Sequence, residues 1–261
     1  MTSTDGTSIA VFTTGDGPPV ILVHGASADH TTFRVVGPRL ARSYTVHAID
    51  RRGRGASGDT PPYSIEREFE DLAAVAQALA AEAGRPVPVF GHSYGGRCAL
   101  GAALVSDRVG RVICYEGAPA PPGRTYEPRA LREDLAARLA AHDLDGLLAS
   151  FMTRVVGMSA ADLAAYRADP IWPVRAAAAG TIPRELDAEV DPAGSLERLG
   201  AVCQPVLQLL GSDSRRIFRE ATLALHKRLA DGRIVEIEGA RHAAHHTHPD
   251  AVAEAVRAFL A

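Results

Sequence analysis

The stretch Val89-Phe90-Gly91-His92-Ser93-Tyr94-Gly95-Gly96 carries the clearest chemical signal in the chain. It reads as an apolar strand, then Gly-x-Ser-x-Gly, then a helix beginning near Gly95. A serine on so sharp a strand-to-helix turn sits in strained backbone and needs small residues two places before and after it, where Gly91 and Gly95 stand. The turn lifts Ser93 into the open above a helix N-terminus, which is the setting of a nucleophile. A chance match in a Gly-rich turn is the competing explanation, and the strand before and helix after argue against it. A serine hydroxyl is a weak nucleophile until a positioned imidazole takes its proton. His242, His245, His246 and His248 crowd the C-terminal region. His242 follows an expected strand over 233–237 by a short turn and precedes a helix start at Pro249, so its position fits the general base. The other three are expected to be exposed loop residues. A metal site built from them is disfavoured, because adjacent histidines on a solvated loop lack a carboxylate scaffold.

These groups need a frame to hold them. Short β-branched runs closed by turn signals predict strands over 8–13, 19–23, 44–49 and 86–90. The runs 19–23 and 87–90 lack polar alternation, as parallel strands covered on both faces do. Between them, Ile65, Phe69, Leu72, Val75, Ala76 and Leu79 recur at helical spacing, with Ser64 as N-cap and Gly84 as stop. The strand–helix rhythm implies right-handed crossovers and an α/β fold, with a mostly parallel central sheet and helices on both faces. It returns with a strand over 206–210, a helix around 218–229, the strand over 233–237 and a last helix over 249–260. From 119 to 196 no strand is convincing, only Ala- and Leu-rich helical segments at 130–141, 144–156, 160–167 and 174–179. This predicts a core of 1–118 and 197–261 with a helical lid inserted at 119–196, against the plainer alternative of ordinary crossover helices.

With these motifs in order, the chain resembles the α/β-hydrolase family over nearly its whole length outside the helical insertion. Leu22-Val23-His24-Gly25-Ala26 matches the family's His-Gly loop, and Asp50-Arg51-Arg52-Gly53-Arg54-Gly55-Ala56-Ser57 its Asp-x-Arg-Gly-x-Gly-x-Ser turn. Gly239-Ala240-Arg241-His242 matches its catalytic-histidine loop. The resemblance implies oxyanion donors at the backbone N–H groups of Ala26 and Tyr94. His24 is read as hydrogen-bonded structure rather than catalyst, and Asp50 as a brace of its loop. The acid departs from the common pattern: Gly211-Ser212-Asp213-Ser214 puts serine where the family's usual acid stands and Asp213 one residue early. The family's second solution, a glutamate ending the strand after the nucleophile helix, is supplied by Val112-Ile113-Cys114-Tyr115-Glu116. Loop register favours Glu116, with Asp213 still open.

Serine, histidine and an oxyanion hole suit acyl transfer through an acyl-enzyme, so carboxylic-ester hydrolysis is the first expectation, with lactone and thioester cleavage using the same parts. Haloalkane dehalogenase and epoxide hydrolase chemistry are disfavoured, since those relatives need aspartate where Ser93 stands. Carbon–carbon hydrolysis, cofactor-free elimination, peracid formation and a receptor-like scaffold with little turnover are the alternatives the fold admits. Phe151, Met152, Met158, Tyr166 and Trp172 are the large residues of the insertion. Phe151, Met152 and Trp172 are the candidate substrate contacts, with plain packing as their competing role, and the expected substrate is hydrophobic and of modest size.

Composition narrows the partners. The 261 residues are 46% hydrophobic and 23% charged, with a formal net charge of -3, so no basic excess points to nucleic acid or an anionic membrane. Cys98, Cys114 and Cys203, odd in number and widely spaced, read as buried thiols rather than disulfides or a zinc site. The opening residues show no basic and apolar leader pattern and no stretch approaches a bilayer span, which predicts a cytoplasmic protein. No motif implies a metal, nucleotide or organic cofactor. The expected partner is a small-molecule substrate, met by a monomer or homodimer.

Overall fold

The computed structural model describes residues 1–126 and 128–261. Its strands are β1 (Val11–Thr14), β2 (Pro19–Val23), β3 (Thr45–Ile49), β4 (Val87–His92), β5 (Val109–Tyr115), β6 (Val206–Gly211) and β7 (Gly232–Ile237). They form a 7-stranded sheet in the order β1-β3-β2-β4-β5-β6-β7. β1 runs antiparallel to β3, and the other neighbouring pairs are parallel. β1 is shorter than the expected 8–13 because Ser8 is drawn into a bridge with Thr2.

The missing alternation in β2 has a direct cause. Ile21 and Val23 pack with helices Ile65–Ala83 and Tyr94–Val105 on one face, while Val20 and Leu22 pack with Phe33 and helix Pro249–Leu260 on the other. Both faces are dry, so every position is apolar. Helix Ile65–Ala83 starts where Ser64 accepts from the Arg67 N–H and ends at Gly84, whose φ of 66° puts it in the left-handed region.

Between β5 and β6 the described residues form helices Arg129–Ala140, Leu144–Phe151, Ala160–Ala168, Trp172–Ala177 and Ile182–Ala188, and no strand. Helix Leu144–Phe151 runs on into a π turn, Met152–Val156. The helices carry their own apolar cluster, centred on Leu131, Leu135, Leu147, Leu148 and Ile182, against which Ala26 packs. Helix Ile182–Ala188 escapes a reading by apolar periodicity, being short and opened by Pro183.

That helix ties the segment to the sheet by charge. Glu185, with no exposed surface, accepts from Arg51 at 2.9 Å and from Arg54 at 2.8 Å, and Arg51 also donates to Glu68 at 2.7 Å. Arg175, on helix Trp172–Ala177, makes a second tie to Asp29 at 2.8 Å. Among the described residues no helix is long and apolar enough to cross a membrane. Cys98 and Cys114 are buried as expected, but Cys203 is exposed, because it lies in the loop just before β6 rather than within the sheet.

Candidate active site

β4 runs to His92 and the next helix starts at Tyr94, leaving Ser93 alone at the corner with φ 54° and ψ -125°. A Cβ at Gly91 would stand 2.2 Å from the Gly95 carbonyl oxygen, and one at Gly95 would stand 2.3 Å from that of Val23. Real Cβ atoms do not approach so closely, so both positions must be glycine for the corner to close. A Cβ at Gly25 would lie 2.9 Å from the Ser93 Cβ, so the loop after β2 rests against the corner and brings Ala26 beside it. Tyr94, first in its helix, has no carbonyl within the helix for its N–H. His24 is fully buried: it accepts from the Arg51 N–H at 3.0 Å and donates to the Gly25 carbonyl at 2.8 Å. Burial, then the Arg51 charge, holds it well below the ordinary histidine range, so it braces this loop as a neutral ring.

The His242 ring donates from Nδ1 to Glu116 Oε2 at 2.7 Å, and the two residues are 7% and 3% exposed. That bond fixes the tautomer and leaves Nε2 as the acceptor. Glu116 sits one residue past β5 with φ 46°. Its other oxygen accepts from the Gly211 N–H at 2.8 Å and from the Ser214 hydroxyl. Ser214 therefore stands where the family's usual acid would, and serves the replacement carboxylate instead. Asp213 is exposed and accepts from the Ser212 hydroxyl at 3.1 Å; it is not brought to the His242 ring. The turn after β6 spends its buried hydrogen bonds on Glu116 and leaves Asp213 in water.

Residues the sequence reading passed over hold the ring in place. Phe218 stacks on His242 with centroids 4.3 Å apart, and His92 Nε2 donates to the His242 carbonyl at 2.8 Å. The Tyr115 hydroxyl donates to the Arg241 carbonyl and accepts from the Ala244 N–H at 2.9 Å. Of these, His92 alone gave a signal, as the polar residue beside Ser93 in the motif.

His245 and His246 correct the expectation of exposed loop residues. The short helix Ala244–Thr247 turns back against the segment His30–Phe33, so His245 is 2% exposed with Nε2 3.3 Å from the Thr32 hydroxyl, and His246 is half-buried. Burial pushes His92 and His245 well below the ordinary histidine range, and burial with the Arg34 and Arg175 charges takes His246 down to about 4.

Ser93 and His242 line one cavity of about 640 Å³, whose far wall includes Phe151, Met152, Val156 and Met158. Phe151 and Met152 thus line the same cavity as Ser93. Trp172 does not: it is buried inside the helical segment, its Nε1 donating to Asp145 at 2.6 Å and its ring edge-on to Tyr166. The indole N–H found a carboxylate within the segment, and that contact turns the residue to packing. Asp29, His30 and Asp50 place ligand atoms within 4.8 Å of one another, as a cation would need. Those atoms are already engaged: Asp50 accepts from the His30 N–H and ring and from Ala56, and Asp29 from Thr31.

The sequence pattern of the alpha/beta hydrolase family matches residues 20–255. A pimeloyl-acyl-carrier-protein methyl ester esterase from Neisseria meningitidis is 27% identical over 263 residues, covering 92% of this chain and 76% of that one. Among solved structures, an alpha/beta hydrolase from Sphaerobacter thermophilus superposes with a TM-score of 0.85 at 34% identity, covering 100% of this chain and 99% of that one. A hydrolase from Pseudomonas aeruginosa does so at 0.80 and 25%, covering 100% and 97%. The chain belongs to the alpha/beta hydrolase family.

Proposed function

We propose that this enzyme hydrolyses a carboxylic ester through an acyl-enzyme on Ser93. His242 Nε2 takes the Ser93 proton as the hydroxyl attacks the carbonyl, and the imidazolium so formed is stabilised by Glu116. The N–H groups of Ala26 and Tyr94 receive the oxyanion, and the protonated His242 gives its proton to the leaving alcohol. Water, deprotonated by the same ring, then releases the acid. The helices within 119–196 act as the lid, supplying the apolar wall against which the substrate lies. The carrying observation is the buried 2.7 Å bond from His242 to Glu116, with His242 and Ser93 lining the same cavity. The relatives named as ester hydrolases support the same reading. Turnover of phenyl and p-nitrophenyl esters by wild type and Ser93→Ala tests it, with an expected loss of about 10⁴-fold or more in kcat for the variant. Equal turnover by the two proteins would sink it.

A further inference from the structure

The wall of the cavity has a charge imbalance that ester hydrolysis alone does not explain. Three arginines, Arg34, Arg175 and Arg241, are among its lining residues, against one acidic residue, Asp162. Arg175 is buried and already balanced, paired to Asp29 at 2.8 Å and donating to the Thr31 hydroxyl. Among the described residues Arg34 pairs with Asp169 at a long 3.5 Å, between half-exposed side chains. Arg241, exposed and next to His242, has no ion-pair partner among the described residues. Burial together with the Arg34 and Arg175 charges takes His246 down to about 4.

We propose, resting on the serine-esterase reading, that the substrate is an ester with an apolar body and a carboxylate, the carboxylate held by Arg34 and Arg241. The apolar body lies along Phe151, Met152 and Met158, and the planar guanidinium forks match a carboxylate's two oxygens. Arg175 keeps its own partners and contributes field rather than a free fork.

Two matched comparisons test this through the ratio of kcat/KM for anionic over neutral ester. One places the carboxylate on the acyl side, monophenyl adipate against phenyl hexanoate. The other places it on the alcohol side, the hexanoyl ester of 4-hydroxybenzoate against phenyl hexanoate. Charge-assisted contacts to exposed arginines predict a ratio near tenfold, and above about threefold, in at least one arm. Raising salt from about 10 mM to about 0.5 M should shrink it, since exposed charges are screened. Arg34→Gln and Arg241→Gln, both at exposed positions where folding is not at stake, should each lower the ratio, and together bring it towards one. A ratio below about threefold in both arms, or one that the double variant leaves standing, overturns the proposal while the esterase reading survives. If no ester is cleaved and a fluorophosphonate leaves Ser93 unlabelled, the esterase reading falls and takes this one with it.

Discussion

Glu116 and Glu185 are both nearly withdrawn from water, at 3% and 0% exposure, but the partners they face differ in kind. Glu116 faces His242, an imidazole and so the kind of side chain that passes protons, and its second oxygen is anchored by Gly211 and Ser214. Glu185 faces the guanidinium groups of Arg51 and Arg54, and it lies on helix Ile182–Ala188, between β5 and β6. Burial alone would raise the Glu185 pKa, but the two guanidinium groups outweigh it and hold the carboxyl below the ordinary range. A buried carboxylate opposite a titratable partner can serve a reaction, whereas one opposite fixed charges can only fasten two parts together.

The sharpest way to break this contrast is to neutralise each carboxylate in turn. Glu116→Gln should cut kcat by about 10³- to 10⁴-fold, because the amide no longer stabilises the imidazolium, with little change in urea unfolding. Asp213→Asn should stay within about twofold of wild type in the same ester assay, since the exposed carboxylate accepts from Ser212 and is not brought to His242. Glu185→Gln should show the opposite profile: about 3–5 kcal/mol lost in urea unfolding, because two buried guanidinium groups lose their shared anion, with a much smaller fall in kcat. If Glu185→Gln abolished turnover without destabilising the fold, the division between the two carboxylates would be wrong.

The two regions should also respond to pH with opposite sign. His245, on the short helix just after His242, is held by burial well below its ordinary 6.5, so below that pH the unfolded chain takes up a proton that the folded one refuses. Stability is then lost as pH falls, and His245→Phe should reduce the loss measured between pH 7 and 5. Glu68, beside Arg51, is pushed by burial up to about 7 from 4.5 despite that arginine, with Glu185 and Asp71 adding to the rise. There the folded state holds the proton that the unfolded chain has released, so stability falls as pH rises from 4.5 to 7. Glu68→Gln should flatten that slope, the smallest effect of the set. A steeper slope in Glu68→Gln would contradict the assignment.

The contrast also explains what could be read from the sequence. Strands β2 and β4, the Ser93 corner and the capped helix Ile65–Ala83 were legible because they rest on local rules: dry apolar runs, glycines where backbones collide, and Ser64 and Gly84 at the ends. The choice between Glu116 and Asp213 was only half legible, since it depends on which carboxylate the turn after β6 buries. The serine at 214 was noticed as a departure from the family pattern, but its use as a donor to Glu116 appears only once β5 and β6 are side by side. His245 was misread because its burial rests on Thr32, far away in the chain, and Trp172 because Asp145 claims its N–H. Glu185 gave no signal at all, since a glutamate in a short helix looks like any solvated charge until Arg51 and Arg54 close around it.

The proposed activation of Ser93 runs through His242 to Glu116 and not to Asp213. Its most direct test is the rate of fluorophosphonate labelling at Ser93, located by peptide mass spectrometry, in wild type, Glu116→Gln and Asp213→Asn. Fast labelling of wild type and Asp213→Asn, with labelling of Glu116→Gln slowed by about 10²-fold or more, is the predicted result. Equal rates in wild type and Glu116→Gln, or no labelling of Ser93 in any of them, would contradict it.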